Sequence, residues 1–118
     1  MTTEEFEKLA ARALRGLPRS LRARMENVVV VVKDAPDAAQ RRRYGRGLLG
    51  LYEGVPLPER GAWYSGAMPD KITLFKDNIE GTASTTAELE AQVRHTVLHE
   101  MAHYFGMDDD ELIEKGLY

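Results

Sequence analysis

The chain has 118 residues, 43% of them hydrophobic and 30% charged, with no cysteine and a formal net charge of −3. The length suits a single domain, residues 1–118, with a modest core, and the lack of cysteine excludes a disulfide framework, a thiolate metal site and a cysteine nucleophile. The longest aliphatic run, Val28 to Val32, is far too short to span a bilayer, and no basic-then-apolar leader opens the chain, so the expected location is the cytoplasm, with no membrane partner.

Thr2 and Glu5 stand at capping-box spacing, and Phe6, Leu9, Ala10, Ala13, Leu14 and Leu17 recur at helical intervals. This predicts a first helix, stopped by Gly16 and Pro18. A short helical turn follows, with Leu21 and Met25 as its apolar positions. Val28 to Val32 is β-branched throughout and does not alternate, which predicts an interior strand covered on both faces. Asp34-Ala35-Pro36-Asp37 opens a turn and a short helix through Arg43.

The charge is uneven. Residues 1–60 carry 12 basic and 8 acidic side chains, and residues 61–118 carry 4 and 11. The basic half includes Arg41-Arg42-Arg43 and Arg46, but only Tyr44 is interleaved as an aromatic. This run therefore reads as a solvated helix face, and no nucleic-acid partner is expected.

Gly47 to Tyr52 is a second strand candidate. Glu53 to Pro69 is a long Gly- and Pro-rich loop containing Trp63 and Tyr64, of the kind that lines binding sites. Lys71 to Lys76 predicts a third strand, with Ile72 and Leu74 on one face and Thr73 and Phe75 on the other. Thr85 and Glu88 repeat the capping-box spacing and start a helix from about Thr86 to Phe105, with Gly106 after its C-cap. Such a helix is roughly 30 Å long and crosses the domain. Asp108 and Glu111 suit the start of a final short helix ending at Lys115 or Gly116.

All three histidines, His95, His99 and His103, lie on the long helix. From His99 the sequence runs His99-Glu100-Met101-Ala102-His103-Tyr104-Phe105-Gly106-Met107-Asp108-Asp109, the pattern HExxHxxGxxD. Residues four apart lie about 40° apart around a helix, so His99 and His103 share a face and supply two corners of a tetrahedral zinc site. Glu100 sits about 100° round from His99, placed to accept a proton from a water acidified by the metal. Gly106 can end the helix and turn the chain, so that Asp109 supplies a third ligand. Asp108, Asp110, Glu111 and Glu114 are the competing acidic residues, of which Asp108 best suits a helix cap. The fourth position is left for water or substrate.

On the same wheel Val93, Val97, Leu98, Met101, Ala102 and Phe105 form an apolar arc that should pack on the sheet. His95 reads as a residue that supports the metal ligands from behind or faces solvent, rather than as a ligand itself. Trp63, Tyr64 and Tyr104 read as packing residues, although a tyrosine hydroxyl can stabilise an oxyanion.

The chain resembles the small bacterial zincin-like metallopeptidases, the mini-zincins. His99, Glu100, His103, Gly106 and Asp109 match their motif, and the resemblance extends to the segments Leu49 to Leu57 and Pro69 to Phe75. It implies an α+β fold: a minimal zincin-like core in which a small mixed β-sheet packs against helices, including the metal-binding helix. It implies Zn²⁺ held by His99, His103 and Asp109, Glu100 as the catalytic base, and a peptide or unfolded protein as substrate. By the same likeness the strand Lys71 to Lys76 would be the sheet edge beside the cleft. The motif is also similar to that of metzincins with an Asp ligand, but no Met follows Asp109 to form their methionine turn.

Two other functions compete. One is a non-catalytic, zinc-stabilised module that binds a peptide or protein on the same fold. The other is a zinc hydrolase of RNA; the small endoribonucleases of that kind use a third histidine where this chain has Asp109 and lack the glutamate found here as Glu100. Nitrogen and carboxylate ligands also accept divalent ions other than zinc.

Overall fold

The structure is a computed structural model that describes residues 1–54 and 69–104, the last two as helix backbone alone. Helix α1 spans Thr3–Arg15. Its capping box forms as the spacing predicts: the Glu5 N–H donates to Thr2 Oγ1 at 3.1 Å and the Thr2 N–H to Glu5 Oε1 at 2.9 Å. The Thr2 backbone N–H, and then its side chain, hold the Glu5 carboxyl below the ordinary glutamate range. Stabilisation from this carboxylate is present above that range and is lost as the pH falls through the lowered value. Thr2→Ala removes the acceptor for the Glu5 N–H and is expected to cost about 1 kcal/mol, read from denaturant melts at neutral pH.

After α1 come a short helix α2, Arg19–Arg24, and strand β1, Val28–Lys33. Helix α3, Ala38–Tyr44, has a second capping box between Asp37 and Gln40. Gly45 follows it at φ 90°, a left-handed conformation that favours glycine. Strand β2 is Gly50–Glu53, later and shorter than the predicted Gly47 to Tyr52. Strand β3 is Asp70–Phe75. The chain then turns straight into helix α4, Lys76–Glu80, and ends its described course in helix α5, Thr86–Tyr104. Helix α4 is too short to show a periodic pattern in sequence, yet it buries Ile79 completely. At its start, burial works against the charge on Lys76, but Glu80, then Asp77 and Asp34, outweigh this and hold the ammonium above its ordinary pKa.

The three strands form one mixed sheet in the order β1-β3-β2. β1 runs parallel to β3, with Val28 opposite Asp70 and Lys33 opposite Phe75. β2 runs antiparallel to β3, with Gly50 opposite Leu74 and Glu53 opposite Lys71. The architecture is thus α+β, a small mixed sheet packed against helices. Phe6, Leu9, Ala10 and Ala13 of α1 meet Val93, Val97 and Met101 of α5 and Ile72 and Leu74 of β3 in one core.

Two strand expectations need correcting. Among the described residues β1 is an edge strand, not an interior one, and Val29 is 43% exposed. β3, expected at the edge, is the middle strand, with Ile72, Leu74 and Phe75 wholly buried. A valine run reports how well side chains suit a pleated surface. It does not report which strands flank it. β3 is buried on both faces because its Thr73 and Phe75 are covered as completely as Ile72 and Leu74.

Candidate active site

Helix α5 opens on the predicted cap: the Glu88 N–H donates to Thr85 Oγ1 at 3.1 Å, and that hydroxyl donates to Glu88 Oε1 at 3.2 Å. Its apolar arc packs as the wheel predicts. Val93, Val97 and Met101 are fully buried, Ala102 nearly so, and Leu98 packs at the margin of the core. Phe105, also assigned to this arc, lies outside the described residues.

The opposite face carries the polar and titratable side chains. His95, His99 and Glu100 are half-buried. With Gln92 and Thr96 they form one wall of a cavity of about 310 Å³, whose other wall is Leu48, Leu49 and Gly50. The His95 and His99 rings lie 5.6 Å apart between centroids, tilted by 34°. One turn beyond His99 the helix continues unbroken through position 103, which places that position on the same ridge.

The second wall is held in place by polar ties. The Asn78 side-chain amide donates to the carbonyls of Arg46 and Leu48, each at 2.8 Å. The Phe75 N–H donates to Leu49 O at 2.9 Å. At the far end of β2, Tyr52 Oη donates to Asp70 Oδ2 at 2.8 Å. These bonds fix the entry and exit of β2 against β3 and α4.

Gly50 sets the distance between the two walls. A Cβ at this position would fall 2.7 Å from Thr96 Cγ2, 3.2 Å from Thr73 O and 3.8 Å from Glu100 Cγ. Only a residue without a side chain lets β2 come this near to α5. Thr96 is buried by that approach although it lies on the polar side of the wheel, and its hydroxyl is satisfied by donating to Gln92 O at 2.8 Å. Sequence reasoning missed Gly50, Gln92, Thr96 and Asn78 as parts of the site. Gly50 had a readable signal, since a glycine inside a strand often marks a close backbone approach. The other three had none.

Of the residues read as functional, the structure brings His99 and Glu100 to one cavity, with His95 beside them. The side chain of His103 lies outside the described residues, and so do Asp109, its rivals Asp108, Asp110, Glu111 and Glu114, the residues Trp63 and Tyr64, and the side chain of Tyr104. Among the described residues no three His, Cys, Asp or Glu side chains converge as a metal cage. The chemistry of the described donors nevertheless fits a divalent ion: a half-buried imidazole, with a carboxylate beside it on the same wall.

A family model described as zincin-like metallopeptidase matches residues 25–117, from just before β1 through α5 and the whole HExxHxxGxxD stretch. Helices α1 and α2 precede the matched segment. No curated protein matches the chain.

Proposed function

The chain belongs to the zincin-like metallopeptidase family, and on that premise we propose that it is a zinc-dependent peptide hydrolase with Glu100 as general base. The observation that carries this reading is the shared cavity of His99 and Glu100, walled by the start of β2. His99, His103 and Asp109 are the residues that would hold zinc. When bound, the ion supplies Lewis acidity that polarises a carbonyl and brings the pKa of water down to about 7.

The remaining work falls to the protein. The Glu100 carboxylate accepts the proton of the attacking water as its oxygen bonds to the scissile carbonyl carbon. It then delivers that proton to the amide nitrogen as the C–N bond breaks, and so returns to the carboxylate. Half-burial of Glu100 beside β2 limits its exposure to bulk solvent. The substrate class is a peptide or an unfolded protein.

Zinc titration with peptide-library hydrolysis tests the proposal. Stoichiometric zinc should be retained through gel filtration, chelation should abolish turnover, and added zinc should restore it. Retained zinc with no turnover of any peptide would instead indicate a binding module stabilised by its metal.

A further inference from the structure

A second depression adjoins the cavity. It is an open groove of about 660 Å³ between the α1–α2 corner and the N-terminal half of α5. Its apolar lining comes from Leu17 and Pro18 on one side and Ala91 and Leu98 on the other. Gln92 and His95 line both the groove and the Glu100 cavity, so the two depressions meet along a single ridge.

We propose that this groove binds the substrate polypeptide away from the scissile bond and seats one apolar side chain there. The inference rests on the hydrolase reading and adds a substrate preference to it. Ala91 stands eight residues before His99 on α5, about 12 Å along the helix axis. An extended polypeptide crosses that distance in three or four residues. The preferred apolar residue therefore lies about three or four positions from the bond that is cut.

The polar groups of the groove favour a polypeptide over a polyanion. Glu88 and Arg94 place both signs of charge in the lining. Gln92 spends one N–H on Thr96 Oγ1 at 3.4 Å. The side-chain oxygen Oε1 and the second side-chain N–H of Gln92 carry no bond among the described residues, which leaves one acceptor and one donor on the ridge to match a peptide backbone amide. The Leu17 and Pro18 wall lies before residue 25, where the family match begins, and the wall from α5 lies within the match.

Ala91→Trp tests the idea, because Ala91 is exposed and belongs to the groove but not to the cavity. Zinc-loaded wild type and variant would be compared on ten-residue peptides with an apolar residue at the stated offset, and on the same peptides truncated before it. The variant should raise KM for the long peptides about tenfold, as expected for one excluded apolar side chain. The truncated peptides and the melting temperature should be unchanged. Equal effects on both peptide sets, or none on either, would overturn the groove as a subsite. If no peptide is cleaved, fluorescence polarisation of the labelled long peptides decides. Binding that Ala91→Trp weakens supports the groove while the hydrolase reading fails, and binding that is absent or insensitive to the variant overturns both.

Discussion

Glu100→Gln should leave zinc stoichiometry unchanged and reduce peptide hydrolysis by about 10²–10⁴-fold, the range typical of losing a positioned general base. The replacement has nearly the same shape. It can occupy the same half-buried place on the cavity wall, across from Gly50. The amide has no basic site for a proton at neutral pH, so the attacking water loses its acceptor. Metal analysis and a thermal melt, run beside the kinetic assay, separate this chemical loss from loss of fold or of zinc. Full activity in a zinc-loaded Glu100→Gln protein would remove Glu100 from the mechanism.

Gly50→Ala should destabilise the fold by about 1–3 kcal/mol, the usual cost of forcing a methyl into a filled space. The new Cβ would meet Thr96 Cγ2 at 2.7 Å and Thr73 O at 3.2 Å. Thr96 cannot readily rotate away, because its hydroxyl donates to Gln92 O. The strain should therefore push β2 away from α5 and widen the cavity that contains Glu100, so activity falls together with stability. Thr96→Ser provides a specific rescue. It deletes the clashing methyl and keeps the hydroxyl. In the Gly50→Ala background it should recover part of the lost stability, although in the wild type it costs a few tenths of a kcal/mol to about 1 kcal/mol for the missing group. A double-mutant cycle by urea denaturation measures the coupling. Simple additivity would show that the clash is relieved elsewhere.

The parts of this molecule that can be read from sequence are those set by local spacing. The pairs Thr2–Glu5, Asp37–Gln40 and Thr85–Glu88 each close a hydrogen-bonded cap within four residues, and nothing distant is needed to form it. The two faces of α5 follow equally from helix geometry, and Val93, Val97 and Met101 are buried on one side while His99 and Glu100 line a cavity on the other. Strand order is a different matter. Whether the valines of β1 stand at the centre or the edge depends on a partner 42 positions away, as Val28 pairs with Asp70. The Gly50–Thr96 approach likewise joins residues far apart in the chain, so only the presence of a glycine in the strand hints at it. The zinc reading comes from one helical stretch, and its remaining ligands, His103 by its side chain and Asp109 altogether, lie beyond the described part of that stretch.

The mixed pairing in the sheet has a kinetic consequence. Glu53 meets Lys71 across a much shorter stretch of chain than Val28 must close to reach Asp70. Loop closure grows costlier with length, and contacts between remote segments are slow to form. The antiparallel pair is thus the natural early nucleus, and the parallel edge joins it late. Conservative substitutions in the valine strand should then chiefly accelerate unfolding, while those in the Gly50–Glu53 segment should retard refolding.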